Sequence, residues 1–156
     1  MLTQREWILL YDKNIALALE ENAKRRGNHP AIIDSSKIIS YHDLNTTVQK
    51  IAGYIKDQNI KEGDIIGVCL PDTADHLMVL YAIARLGAVI LPLDWRWKKG
   101  EKNCVASFFK VSLIVGLSGE ELNGFKYVAV DDTWNMLVKN RVTDIPCASG
   151  GTRPVV

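Results

Sequence analysis

One short stretch of the chain has the composition of a phosphate-binding loop, Ser149-Gly-Gly-Thr-Arg-Pro154. Its small residues leave backbone N–H groups free to surround an anion. However, neither a lysine nor a helix follows it, and neither Gly-x-Gly-x-x-Gly nor Gly-x-x-x-x-Gly-Lys-Ser/Thr occurs in the chain. The favoured interpretation of this stretch is a linker, and a degenerate phosphate loop is the weaker alternative.

Acid–base, nucleophilic and metal chemistry have no clear candidates either. The histidines are far apart in sequence: His29, His42 and His76. We expect His76 in the first turn of a helix, exposed to solvent. Asp131 and Asp132 suit a cation or a helix N-terminus, and capping of the next helix is favoured. A nucleophile needs an adjacent base and an oxyanion donor, and no such arrangement is visible.

Composition excludes several other classes of function. The chain has 156 residues, 47% of them apolar, and a net charge of +1, which predicts one globular core. No basic face is visible, so nucleic-acid binding is not expected. The longest apolar stretch, 77–93, is interrupted by Arg85 and Gly87, so no membrane span is expected. The three cysteines are scattered, which fits a reducing, cytoplasmic location rather than a disulfide framework.

Two nearly continuous apolar runs predict the centre of the fold. Residues 65–70 and 88–91 have the character of parallel strands buried on both faces, and an apolar helix over 74–86 lies between them. This βαβ order predicts a right-handed crossover. Further strands are expected near 113–116 and 127–130.

The flanking segments complete the prediction of an α/β fold with a mainly parallel sheet. Helices are expected at Asn14–Arg26, from Ser40 to about Asn59, at 100–110 and at 134–140, with a small hairpin from 31–34 and 37–40. Gly27 and Gly87 are interpreted as helix-ending glycines, and Gly116-x-x-Gly119 as a turn. Residues 1–143 are expected to form one α/β subdomain, and residues 144–156 a linker.

Two stretches together resemble the AMP-forming adenylating enzymes. His29-Pro-Ala-Ile-Ile-Asp and Ile39-Ser-Tyr-His-Asp-Leu44 resemble that family's "Pro-Ala … Thr-Tyr-x-Glu-Leu". The stretch from Gly63 to Asp94 resembles "Gly-Asp-x-Val-x-x-x-Leu-Pro-Asn … Ala-x-x-x-Ala-Gly-Ala-x-x-x-Pro-Leu-Asn". The resemblance implies the N-terminal subdomain of an enzyme that activates a carboxylate with ATP, releases pyrophosphate and forms an acyl-adenylate.

The segment Leu93-Asp-Trp-Arg-Trp97 favours one branch of that family. It is similar to the "Leu-Asn-Trp-Arg-Leu" of acyl-CoA synthetases, whereas peptide-synthetase domains tend toward "Leu-Asp-Pro-x-Tyr-Pro". Asp94 and Trp97 depart from the first pattern. The leading interpretation is the N-terminal part of an acid–CoA ligase. The alternatives are part of a peptide-synthetase adenylation domain and a non-catalytic binding or assembly module.

The resemblance also implies what the chain lacks. The family's phosphate loop, "Ser-Gly-Thr-Thr-Gly-x-Pro-Lys", its adenine- and ribose-binding residues and its C-terminal lysine do not occur within these 156 residues. ATP, Mg²⁺ and CoA are therefore implied for the full-length enzyme, and the chain alone is expected to bind none of them and to be inactive. Its expected partner is the remainder of the enzyme. Apolar faces left uncovered would favour self-association, which sedimentation at high concentration tests.

Arg96 is the only residue nominated for a ligand. It follows a buried strand at its carboxyl end, where ligands approach such sheets, and Lys98 and Lys99 add positive charge. A guanidinium can hold a phosphate with two hydrogen bonds. By the resemblance, Arg96 contacts the CoA nucleotide. The alternative is that Arg96 stacks between Trp95 and Trp97 or pairs with Asp94 and only fixes the turn.

Overall fold

A computed structural model describes residues 14–34, 37–141 and 144–148. The helices are α1 (Ile15–Arg26), α2 (Tyr41–Lys56), α3 (Ala74–Arg85), α4 (Lys99–Phe108) and α5 (Asp132–Lys139). The strands are β1 (Pro30–Ile33), β2 (Ile38–Ser40), β3 (Ile65–Cys69), β4 (Val89–Pro92), β5 (Leu113–Leu117) and β6 (Tyr127–Val130). The predicted α/β fold with a small hairpin is confirmed.

The main sheet has four parallel strands in the order β4-β3-β5-β6. Strand β3 is central because both β4 and β5 pair with it along its length. Strands β1 and β2 form a separate antiparallel hairpin. In a parallel sheet all carboxyl ends lie at one edge, so the loops that follow β3, β4 and β5 converge there.

The two faces of the sheet are covered unequally. On one face, α1, α2, α3 and α5 pack over the alternate strand residues Ile66, Val68, Leu113, Val115 and Val128. The opposite face carries a smaller cluster that includes Cys69, Leu93, Ala106 and Ile114. Helix α4 packs on this second face, so its buried residues lie directly beneath the loop that follows β4.

Polar side chains cap the N-termini of three helices. The Ser40 hydroxyl accepts the backbone N–H of Asp43 at 3.1 Å, and the Thr73 hydroxyl accepts that of His76 at 3.4 Å. Asp131 accepts the N–H of Trp134 at 2.9 Å, which supports the capping interpretation of the Asp131–Asp132 pair over cation binding.

The two helix-ending glycines differ from each other. Gly87 has φ +70° and follows α3, so it takes the left-handed conformation that favours glycine. Gly27 is the C-cap of α1, so the prediction that the helix ends there is confirmed, but with φ −50° it keeps right-handed helical geometry. Its backbone instead connects two elements, because the His42 N–H donates to the Gly27 carbonyl at 3.0 Å.

Gly116 does not lie in a turn, contrary to the sequence interpretation. It belongs to β5, and only Gly119, with φ +83°, has turn geometry. A Cβ on Gly116 would lie 2.1 Å from the hydroxyl oxygen of Tyr127, which donates to the Leu117 carbonyl at 2.9 Å. The glycine is therefore required by the close approach of the Tyr127 ring.

We expect Gly116→Ala to lower the free energy of unfolding by about 2 kcal/mol, because the added methyl group displaces Tyr127 and its hydrogen bond. Urea unfolding measures the change. Gly100→Ala is the matched control, since a Cβ there meets no atom within 4 Å and alanine favours helix α4. Equal stability of Gly116→Ala and the wild-type chain would contradict the assigned contact.

Residues 144–148 lie against the C-terminal end of α3. Ile145 is buried, and its carbonyl accepts a hydrogen bond from Nε of Arg85. The Ala148 N–H donates to the Arg85 carbonyl at 2.8 Å. This part of the predicted linker is thus attached to the subdomain. The stretch Ser149–Pro154 lies outside the described residues, and the division at residue 143 stays a prediction.

Candidate functional site

An open cleft of about 650 Å³ lies at the carboxyl ends of β3 and β4. Its walls are the strand ends, the Pro71–Asp72 turn, the first turn of α3 and the segment 93–97. Aromatic, imidazole, carboxylate and guanidinium groups line it: Asp72, His76, Asp94, Trp95, Arg96 and Trp97. This is the edge at which ligands bind to parallel sheets, so the cleft is the candidate site.

Asp94 organises the turn that carries Arg96. Its carboxylate accepts the backbone N–H of Arg96 at 2.9 Å, and its backbone carbonyl accepts the N–H of Trp97 at 3.0 Å. The same carboxylate accepts Nε of Arg96 at 3.0 Å and Nη2 at 2.7 Å. Asp94 thereby fixes both the turn and the guanidinium.

The Asp94–Arg96 ion pair changes the pKa of both side chains. Hydrogen bonds from the side chain and backbone of Arg96 lower the pKa of Asp94 to about 2. The Asp94 carboxylate in turn raises the pKa of Arg96, and Asp72 contributes in the same direction. Arg96 remains a permanent cation, held through one edge of its guanidinium while the edge bearing Nη1 faces away from Asp94.

Pairing with Asp94 was the alternative to ligand binding for Arg96, and the structure contains that pair. It does not decide the question, because an exposed side chain with one edge engaged still has N–H donors on the other. The Arg96 side chain is 72% exposed. Trp95 and Trp97 are also exposed, at 46% and 40%, so the turn presents a cation and two aromatic surfaces to solvent.

His76 lies in the first turn of α3, as predicted, but its side chain forms part of the cleft wall and is less exposed than expected. Its side chain is 21% exposed, and Nδ1 lies 3.5 Å from a carboxylate oxygen of Asp72. The first turn of α3 begins directly after the β3 loop, and this carries His76 into the wall. The N-terminal position in α3 was predictable, but the depth of the adjoining loop was not.

Lys102 is a residue of this region that the sequence did not single out. It lies in α4 with 1% of its surface exposed, and its Nζ donates to the Trp95 carbonyl at 2.9 Å. Nζ also lies 3.4 Å from a carboxylate oxygen of Glu120. Burial raises the pKa of the Cys69 thiol, and the nearby Lys102 ammonium opposes that rise. In the sequence, the only indication that Lys102 belongs to the site was its position in an amphipathic helix beside the end of a strand.

The described residues fit a nucleotide better than a metal ion. Over residues 14–34, 37–141 and 144–148, no three His, Cys, Asp or Glu side chains are grouped to hold a metal ion. No glycine-rich loop with a lysine follows any strand of the sheet. Arg96 with its free guanidinium edge, beside two exposed indoles, suits a phosphate attached to an aromatic base.

Comparison with known proteins decides the family. The family described as AMP-binding enzyme matches residues 19–147. The chain belongs to this family. Nonribosomal peptide synthetase asaC of Aspergillus flavus is 25% identical over 115 residues, covering 72% of the chain and 11% of asaC. Nonribosomal peptide synthetase fmqA of Aspergillus fumigatus is 33% identical over 76 residues, covering 49% of the chain and 2% of fmqA.

Solved structures of this AMP-binding family share the fold. The N-terminal domain of FACL13 from Mycobacterium tuberculosis has a TM-score of 0.79 and 19% identity, covering 90% of the chain and 39% of that domain. The Klebsiella oxytoca NpsA N-terminal subdomain, in complex with anthranilyl-AMSN, has a TM-score of 0.75 and 17% identity, covering 88% and 35%. The chain thus corresponds to the N-terminal part of an adenylate-forming enzyme and spans under two fifths of these structures. Within the described residues no helix is long and apolar enough to cross a membrane.

Proposed function

We propose that the chain is the N-terminal part of an acid–CoA ligase, in which the cleft beside Arg96 receives the nucleotide end of CoA. The observation that carries the proposal is the Asp94–Arg96 fork at the carboxyl edge of the sheet, with one guanidinium edge left open. CoA supplies the thiol that accepts the acyl group. ATP and Mg²⁺ belong to parts of the enzyme outside this chain.

Each residue of the turn has a distinct part in this function. Asp94 orients the guanidinium, and Arg96 remains protonated at every physiological pH, so the N–H groups of its open edge stay available as donors. The open edge of Arg96 donates two hydrogen bonds to a phosphate, and Trp95 or Trp97 offers a flat surface to the adenine. The binding is electrostatic and partly exposed, so it weakens with salt.

In the complete enzyme, we expect Arg96→Ala to raise the KM for CoA about tenfold, the equivalent of about 1.4 kcal/mol, while adenylate formation changes less than twofold. The two half-reactions are measured separately, by ATP–pyrophosphate exchange and by thioester formation. Lys126→Ala, an exposed lysine elsewhere on the surface, is the control.

Two outcomes contradict the assignment of Arg96. An equal loss in both half-reactions would make Arg96 part of the scaffold, and unchanged CoA kinetics would remove it from the site. 3′-Dephospho-CoA sharpens the test: if Arg96 binds the 3′-phosphate, the variant and the wild-type enzyme have similar KM values for this analogue.

A peptide-synthetase adenylation domain is the second candidate. Support for it comes from the relatives asaC and fmqA, both of which are named as nonribosomal peptide synthetases. The two candidates differ in the thiol that accepts the acyl group. Thioester formation with free CoA supports the first, whereas transfer only to a carrier-protein thiol supports the second.

Self-association of the chain also stays a proposal. Several large apolar side chains are exposed, and Phe108 and Phe109 form an edge-to-face pair with ring centroids 5.0 Å apart at the end of α4. Phe108 is 78% exposed. In the complete enzyme the missing parts would cover such surface, and in the isolated chain it favours association.

A further inference from the structure

Lys102 carries a buried charge next to the candidate cleft. Arg85 and Lys102 are the buried charged side chains among the described residues, and of the two only Lys102 contacts the segment that lines the cleft. Its helix, α4, lies beneath the sheet edge at which β3, β4 and β5 end. The Lys102 ammonium therefore lies where the loops after β3, β4 and β5 converge.

The ammonium has a partner in the loop after β4, a partner in the loop after β5 and a neighbour in the last residue of β3. After β4 it donates to the carbonyl of Trp95, and after β5 it pairs with Glu120. At the end of β3 it lies near the Cys69 thiol. The loop after β5 is attached to the same helix a second time, because Nζ of Lys99 donates to the Gly119 carbonyl at 3.1 Å.

Burying an apolar residue at this position would cost less free energy than burying a lysine. Removing an ammonium from water costs several kcal/mol, and well-packed hydrophobic residues often replace buried ion pairs without loss of stability. Trp95, whose carbonyl the ammonium binds, is itself 46% exposed and belongs to a turn at the protein surface. Stability alone thus gives no reason for a lysine here, whereas fixing the backbone of the turn does.

We propose that Lys102 is a positioning residue for the ligand site: its buried ammonium holds the 94–97 turn so that Arg96 presents its open guanidinium edge to the cleft. The proposal concerns the same site as the proposed function and rests on it for the identity of the ligand. Lys102 acts through the backbone of Trp95 and touches no ligand itself.

Hydrogen–deuterium exchange of the chain tests the positioning without any ligand. In Lys102→Met, which keeps the length of the side chain, we expect the amides of Arg96 and Trp97 to exchange about tenfold faster. In the matched control Lys126→Met, which removes an exposed lysine bonded to the Gln58 carbonyl, their exchange should not change. Unchanged exchange in folded Lys102→Met overturns the proposal.

If Lys102→Met does not fold, Glu120→Gln tests whether Lys102 holds the 94–97 turn. Glu120 is the anionic partner of the ammonium and is itself about half exposed, so its replacement leaves the core intact. We expect exchange at Arg96 and Trp97 to rise about threefold, because the ammonium loses one of the groups that fix it. No change at these two amides in Glu120→Gln then overturns the proposal.

Kinetics of the complete enzyme separate positioning from a merely structural role. We expect Lys102→Met to raise the KM for CoA about tenfold and to leave the rate of adenylate formation within twofold. A general loss of stability would lower both half-reactions, which overturns the proposal. If Arg96→Ala leaves CoA kinetics unchanged, the proposed function fails, while the exchange measurement still decides whether Lys102 holds the turn.

Discussion

The 156-residue chain alone is expected to show no carboxylate-dependent ATP–pyrophosphate exchange, at least about four orders of magnitude below the complete enzyme. Adenylyl transfer depends on charge stabilisation of the phosphates by positioned donors, and loss of a single such donor typically lowers a rate by about 10²–10³. The described strands end without a phosphate-binding loop, so several donors are missing together.

The experiment needs a control for folding as well as for activity. Circular dichroism of the purified chain establishes that the α/β fold is formed, and the complete enzyme, assayed at the same concentration, provides the reference rate. Exchange activity in the pure chain would contradict the interpretation. It would also direct attention to Ser149–Pro154 as a working phosphate loop, the alternative that the sequence analysis ranked second.

The sheet was predictable because its strands are apolar on both faces. Residues 66–70 are buried, and their apolar composition distinguishes this central parallel strand from an amphipathic one. The expectation that 88–91 is also buried on both faces is wrong, because β4 lies at the edge of the sheet and Val89 is 49% exposed. The caps at Ser40, Thr73 and Asp131 were predictable for a similar reason, since a single short side chain determines each.

Close approaches between distant segments were not predictable. Gly116 was assigned to a turn because nothing local distinguishes a turn glycine from one required by the ring of Tyr127, eleven positions further along the chain. Lys102 was overlooked because its partners, Trp95 and Glu120, are brought to it by the ends of two different strands. Arg96 was predictable as a candidate from its place after β4, and its pairing with Asp94 was one of the alternatives, but the sequence could not show that the pair leaves one guanidinium edge open.

The second large expected effect is on the free energy of unfolding, and it concerns the buried side chain of Arg85. Its side chain is 2% exposed and connects three segments: Nε donates to the Ile145 carbonyl, Nη2 lies 3.4 Å from Glu20 in α1, and Arg85 itself ends α3. The Nη1 atom is buried without a hydrogen-bond partner among the described residues. Over residues 14–34, 37–141 and 144–148, Glu20 is thus the only carboxylate within ion-pair distance of this buried cation.

We expect Glu20→Gln to lower the free energy of unfolding by about 3 kcal/mol, because it leaves a buried guanidinium without its counter-charge. Arg85→Met should cost only about 1 kcal/mol, since it removes the charge and keeps most of the volume. Lys24→Met is the control for the other partner of Glu20, an exposed lysine at 2.7 Å, and should cost about 0.5 kcal/mol or less. Urea unfolding at neutral pH measures all three variants.

The pH dependence tests Glu20 together with both of its cationic partners, Lys24 and Arg85. Hydrogen bonding to Lys24, opposed by burial and assisted by the charge of Arg85, lowers the pKa of Glu20 below its ordinary value of 4.5. A carboxyl group whose pKa is lowered by folding stabilises the folded state above its ordinary pKa, and that contribution is lost as the pH falls below 4.5 through the folded value. Wild-type chain should therefore lose more stability on acidification than Glu20→Gln. If Arg85→Met is instead the more destabilised variant at neutral pH, the cation contributes through packing and its bond to Ile145 rather than through its pairing with Glu20.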